Sequence, residues 1–342
     1  MKNSRTSSTP HDDRPALFAA LFAAVLLCAL LSMCLGAVAI PPGEVLSALL
    51  EAPQGATAQI VRYARLPRTC GCLLAGAALA VSGGVIQSVL GNPLAAPNII
   101  GVSSGAGFGV ALFGALAPTM AAASPAAAFA GALLGMLLVL TIAERTGASK
   151  LTLVLAGAAV SGMFSAGIDA VVTFVPDALN GYSDFRIGGL ANLAMSRIVP
   201  AFWIVLAAMA LIFSLAGDLD VLLLGADTAQ SLGLRAKPLR LALLALAAAL
   251  AGAAVSFSGL LGFVGLIVPH IMRRLIGEES RPLLAGCALG GAAILTLCDL
   301  LARLLFAPYE LPVGIVLSLA GGPFFIWLLL RQRGGRSHDR AA

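Results

Sequence analysis

Charged residues make up only 11% of the 342-residue sequence, less than half of the roughly 25% usual in a soluble domain. That scarcity excludes a water-soluble globule. Histidine is rare: His11 and His338 sit in polar tails and His270 stands alone, so no histidines are spaced to hold a metal. No Gly-x-x-x-x-Gly-Lys-Ser/Thr phosphate loop occurs, and no serine–histidine–acid set or acid pair marks a catalytic centre. The chain reads as neither an ATPase nor another enzyme, with no cofactor of its own. Short segments of alternating polarity, the mark of a membrane β-barrel, are missing too. Cys28, Cys34, Cys70, Cys72, Cys287 and Cys298 all fall in or beside apolar runs. Cys70-Gly-Cys72 lacks histidine or acidic company and reads as small side chains for close helix packing.

What is present is apolar. Hydrophobic residues make up 59% of the chain and the mean hydropathy is +0.98. Runs of about 20 apolar residues, each enough to cross a hydrocarbon core of ~30 Å, recur along the whole length. The fold class is an all-α polytopic membrane protein with ten spans: 16–39, 67–90, 99–116, 125–143, 151–175, 198–216, 238–258, 261–276, 282–303 and 311–330. A polar tail (1–15) precedes this transmembrane domain (16–330) and another (331–342) follows it. Ala37-Val38-Ala39 resembles a signal-peptidase site, but the apolar run before it exceeds the usual 7–15 residues of a signal core, so it reads as a retained first span.

An even number of spans puts both ends on one side. With that side taken as cytoplasmic, 15 of the 21 lysines and arginines lie inside, as the positive-inside bias requires. The six outside are Arg62, Arg65, Arg68, Arg186, Arg197 and Arg303, three of them packed into "VRYARLPRTC". The expected location is the inner membrane, multi-pass, with both termini cytoplasmic. The net charge of +5 is scattered over loop ends, which gives no nucleic-acid surface. "LAGAALAVSG" (Leu74–Gly83) resembles "LAGAAVSFSG" (Leu250–Gly259), 176 residues on. The same register aligns Pro93 with Pro269. The second and seventh spans run in opposite directions, as in an inverted transporter repeat.

Several segments carry candidate function. "GNPLAAPN" (Gly91–Asn98) forbids helix and is either a tight connector or a stiff plug at the inner mouth. "IIGVSSGAGFGVAL" that follows suits close helix contact or the lining of a conduit. "DLDVLLLGADTAQSLGLRAK" (Asp218–Lys237) is the longest cytoplasmic loop, with a short helix capped by Asp227 or Thr228 and stopped at Gly233. That helix either lies on the membrane or is a handle for a soluble partner. "GFVGLIVPHIMRRLIGEESR" reads as a kinked helix with inside-facing arginines. Asp169 is the one carboxylate well inside a span, where a charge costs about 2.5–3.5 kcal/mol and usually faces a cavity or partner. Asp299 and Arg303, one helical turn apart, are expected to pair.

"RLPRTCGCLLAGAALAVSGGVIQSVLGNPLAAPNIIGVSSGAGFG", "GFVGLIVPHIMRRLIG", "LCDLLAR" and "ELPVGIVLSLAGGPFFIWLLL" together resemble the FecCD/BtuC family, over Ala16 to Leu330. These are membrane permeases of binding-protein-dependent ABC importers for iron–siderophore complexes, haem and vitamin B12. The resemblance implies BtuC-like architecture and a second permease subunit, identical or paralogous, enclosing a central pathway. It also implies two cytoplasmic ATPases that bind the ATP, and an external substrate-binding protein. By the same resemblance Arg65, Arg68 and Arg303 face acidic patches on that binding protein. Asn92 and Leu94 match the inner gate; Leu224, Gly225, Ala229, Leu232 and Gly233 match the helices that couple to the ATPase. "SDFRIGGLANLAM" (Ser183–Met195) departs from the family pattern beside the outer mouth. A ferric siderophore is the expected cargo, with haem or a corrinoid the alternative. A rival class is an ion-coupled secondary transporter using Asp169.

Overall fold

The computed structural model describes residues 14–50, 55–146, 150–307 and 309–336. Most of the expected amino-terminal tail, with Lys2 and Arg5, and the end of the carboxy-terminal one, with Arg340, lie outside the described residues. All described regular structure is helical: α1 (Arg14–Cys34), α2 (Pro42–Leu50), then α3 (Ala56–Gln59), which runs through a π-helical turn (Ile60–Arg65) into α4 (Leu66–Leu90). A 3₁₀ turn (Pro97–Ile100) leads to α5 (Val102–Leu116), α6 (Ser124–Arg145), α7 (Lys150–Phe174), α8 (Ala178–Ile187) and α9 (Met195–Ser214). Next come α10 (Ala216–Leu223), α11 (Ala226–Ser231), α12 (Ala236–Ser258), α13 (Val264–Ile276), α14 (Ser280–Leu304) and α15 (Val313–Arg336).

Each of the ten spans has its helix, α1, α4, α5, α6, α7, α9, α12, α13, α14 and α15, with bounds within a few residues of expectation apart from the longer shifts at the end of α1 and of α15. Among the described residues seven stretches are long and apolar enough to cross a membrane. α5 and the apolar part of α15 are shorter. α13, at 13 residues, rises about 20 Å and cannot cross alone. The non-helical segment 259–263 makes up the rest, and neighbours bond the backbone there: Leu260 N–H donates to Phe185 O at 2.8 Å, and Gly189 N–H to Ser258 O, at the end of α12, at 2.9 Å. That is the condition under which membranes tolerate a broken helix.

α4 is the central post. In its best apolar window 78% of residues are buried, against 17% in α1 at the periphery. It packs against α12, α13 and α14, and apolar and small residues all round it make that burial possible. A Cβ on Gly76 would stand 2.2 Å from Gly291 O of α14, so the two backbones touch only because both positions are glycine. The glycines of α5 serve α6 in the same way: a Cβ at Gly105 would meet Gly131 O at 2.2 Å. Cys72, fully buried in α4, is a packing residue, as expected of the Cys-Gly-Cys stretch. α4 and α12, the repeat-related pair, lie antiparallel: Gly71 neighbours Phe257, while Ser82 Oγ donates to Ala247 O at 2.6 Å. The repeat register does not extend to the prolines, since Pro93 sits in a turn and Pro269 inside α13.

Candidate functional site

Carbonyls at a helix carboxyl end lack intrahelical partners and carry the negative end of the macrodipole. α1 has no basic residue in its last turn, and arginines from elsewhere supply the need. Arg65 Nη1 donates to Met33 O at 2.7 Å and to Cys34 O at 2.8 Å, and its Nη2 donates to Val38 O. Arg303 Nη1 donates to Ser32 O and Leu35 O, both at 3.3 Å, and its Nη2 reaches Ser32 Oγ at 2.8 Å. Arg62 treats α2 alike, with Nε donating to Ala48 O at 2.6 Å and Nη2 to Leu49 O at 3.1 Å. Two of the three arginines in "VRYARLPRTC" are thus helix caps in trans.

The third is an ion-pair centre. Arg68 Nε donates to both carboxylate oxygens of Asp299, at 2.9 and 3.1 Å, and Nη2 adds a bond to Oδ1 at 3.0 Å. Asp299 also lies 3.2 Å from Arg303 Nε, the expected pairing along α14. The remaining edge of Arg68 is held by Glu310, Nη1 to Oε2 at 2.5 Å. Asp299 is fully buried, and Arg65, Arg68 and Arg303 are 6%, 9% and 4% exposed. The three guanidiniums are turned inward, because buried carbonyls and a buried carboxylate need them more than water does. Two cavities open onto them. One of about 220 Å³ is lined by Gly36, Arg65, Arg68, Asn192, Arg303 and Glu310 among others. A second, of about 290 Å³, shares Arg68, Ala191, Asn192 and Glu310 and runs along Gly188–Leu190 and Leu311–Pro312. The atypical stretch Ser183–Met195 thus forms a wall of this end. Arg186 and Arg197 are exposed.

At the opposite end of the bundle, α4 stops at Gly91 and Asn92 turns the chain, its Oδ1 accepting the Leu94 N–H at 3.0 Å. Asn92 and Leu94 are half-buried there. α13 braces the end of α4: Gln87 Nε2 donates to Gly265 O at 3.2 Å, and Arg273 Nη2 to Ser88 Oγ at 3.0 Å. Of the two inside-facing arginines expected on α13, Arg273 turns toward α4.

The segment Asp218–Lys237 lies at this end and folds as α10, a turn, and α11. Asp227 and Thr228 do not cap α11; Gly225 occupies the cap position with φ of +108° and no side-chain bond. A backbone φ that positive is open to glycine and strained for any side chain. Gly233, at φ +84°, ends the turn as expected. Leu224 and Leu232 are 64% and 65% exposed, whereas Ala229 is fully buried. The five residues matched to coupling therefore divide: two apolar side chains point away, two glycines shape the turns, and Ala229 packs inside. Asp220 of α10 was not singled out by sequence, yet its Oδ1 accepts the Ser280 N–H at 2.9 Å, tying α10 to the start of α14. Asp169 is exposed on α7, away from both clusters. Among the described residues no histidine, cysteine and acid group is gathered to hold a metal.

Glu310, Ser32 and Asp220 escaped the sequence reading. Their partners lie 242, 271 and 60 residues away, and no local pattern points to them.

The FecCD transport family matches residues 24–331. The chain is 41% identical to the hemin transport system permease protein of Yersinia pestis, over 80% of this chain and 84% of that one. It is 38% identical to the iron(3+)-hydroxamate import system permease protein of Bacillus subtilis (98% and 89% covered) and 38% to the vitamin B12 import system permease protein of Escherichia coli (90% and 92%). Among solved structures, an ABC transporter described as of metal-chelate type, in an inward-facing conformation, superposes with a TM-score of 0.82. The identity is 29%, over 93% of this chain and 99% of that one. The helical bundle built on the α4 post and the match across nearly the whole length agree: this chain belongs to the FecCD transport family, the membrane permease subunits of ABC importers.

Proposed function

We propose that this permease carries a ferric chelate, most simply a siderophore complex, inward across the cytoplasmic membrane. The observation that carries the reading is the range of substrates in the names of its relatives: hemin, iron(3+)-hydroxamate, Fe(3+)-citrate and achromobactin, beside vitamin B12. A second permease subunit completes the pathway, and two separate ATPases supply the energy, since this chain has no loop to cradle nucleotide phosphates. The arginine end faces outward and receives a substrate-binding protein, one of whose carboxylates enters the cavity at Arg65, Arg68 and Arg303. The opposite end faces the cytoplasm with both termini, Asn92 and Leu94 gate it, and Leu224 and Leu232 contact the ATPase. Asp169 faces the pathway or the second subunit, because an exposed carboxylate at membrane depth is costly against lipid.

The test is uptake. A strain deleted for this permease is grown under iron limitation and offered one chelate at a time: hydroxamate, citrate, catecholate, haem and a corrinoid. Loss of growth on a siderophore complex, restored by the gene and requiring ATP in vesicles, is expected. Loss confined to haem or corrinoid moves the substrate to that class.

A further inference from the structure

We propose that Glu310 is the resident occupant of Arg68's cavity-facing edge and is displaced when a carboxylate of the substrate-binding protein enters. The inference rests on the docking reading above and names how that site is regulated. Arg68 has two unlike edges. The Nε–Nη2 edge is locked by three hydrogen bonds on Asp299, which is fully buried. Removing Asp299 from it would leave a buried charge unpaired. The Nη1 edge holds Glu310 through one short bond, and the Glu310 side chain is 41% exposed. Glu310 stands on the non-helical connection between α14 and α15, within reach of water.

Geometry makes Glu310 a partition. It lines both the 220 Å³ and the 290 Å³ cavities, as Arg68 does. Liquid water occupies about 30 Å³ per molecule, so either space has room for an acidic side chain. Swinging Glu310 out joins the two. Charge points the same way: Arg65, Arg68 and Arg303 stand against Asp299 and Glu310, leaving the cluster one positive charge in excess. An incoming carboxylate that takes the Nη1 edge keeps Arg68's charge-assisted bond and releases Glu310 to water that already touches it. The exchange is carboxylate for carboxylate, with no guanidinium left bare. Glu310 thereby keeps the Nη1 edge of Arg68 paired while no partner is present and lowers the affinity of the partner that must replace it.

The experiment measures association of the transport system's own substrate-binding protein with the complete transporter in nanodiscs, at low and at raised salt. Wild type is compared with Glu310→Gln and Glu310→Ala. Removing the competitor raises the excess charge, so both variants should bind about tenfold more tightly, mainly through a faster on-rate that salt suppresses. The partial exposure of Glu310 makes both variants foldable, and their thermal stability is checked alongside. Wild-type association indifferent to salt overturns the docking reading itself. Salt-dependent wild-type association that Glu310→Gln and Glu310→Ala leave unchanged or weaken overturns the exchange alone.

Discussion

The two ends of α14 are held in opposite ways. Its last turns sit in a buried network: Asp299 against Arg68 and Arg303, and Arg303 against the end of α1. At its first turn Leu283 and Leu284 are buried, and the polar ties are few: the Ser280 N–H donates to Asp220 Oδ1, and Arg14 pairs at 2.6 Å with Glu279, whose side chain is half exposed. Nearby, Leu224 and Leu232 stand uncovered. One end satisfies its polar groups inside the subunit; near the other, apolar side chains stand open. A buried ionic cluster resists change in one partner, while exposed apolar side chains offer a surface to another chain. The contrast fits an end that keeps its shape until a partner exchanges a charge, and an end that responds to a partner outside the chain.

The sharpest way to break that contrast is Asp299→Ala. It leaves Arg303 with no carboxylate and Arg68 with Glu310 alone, and the loss should be about 3–5 kcal/mol, the usual cost of stripping one partner from a buried pair. Thermal unfolding in detergent would show a large fall; a melting temperature equal to wild type would mean the network is slack. Next in size is Asp220→Ala, which removes the bond to the α14 start. About 1 kcal/mol is expected, the worth of a helix cap, and hydrogen exchange at residues 280–283 should rise. If protection there is unaltered, α10 does not hold α14. The smallest effect on stability belongs to Leu224→Glu combined with Leu232→Glu, two exposed sites that should stay within about 0.5 kcal/mol of wild type. Losing two apolar anchors should nonetheless weaken ATPase binding about tenfold, read as copurified ATPase and stimulated hydrolysis. Full coupling in that variant would remove the segment from the ATPase contact.

Much of the site was visible in the residues, but not its arrangement. The Asp299–Arg303 pair was legible because one helical turn fixes it. Arg68 was picked out as a cation at an unusual place, yet its hold on Asp299 spans 231 residues. Ala229 was legible as a small residue on a short helix, while the side it turns inward was not. α2 and α8 were missed because helices of 9 and 10 residues leave too little periodicity to separate from loop. The start of α4 was placed within one residue, but the helical run from Ala56 that leads into it was not foreseen, because three arginines look like the end of a span until their carbonyl partners are seen.

Composition and hydropathy alone pointed to the membrane, the helical class and the ten spans at which a helix is found, since a chain in hydrocarbon must bond its own backbone, and apolar runs without alternating polarity do so as helices. The small residues of α4, α5, α6 and α14 already announced close packing. Which glycine meets which, Gly76 with Gly291 or Gly105 with Gly131, is a matter of helix order that no local stretch contains. The charges depended on tertiary structure most of all. Whether an arginine faces water, caps a distant helix or neutralises a buried acid turns on the polar groups within about 3 Å of it, and in this fold those groups lie 32, 231 and 271 residues away for Arg65, Arg68 and Arg303.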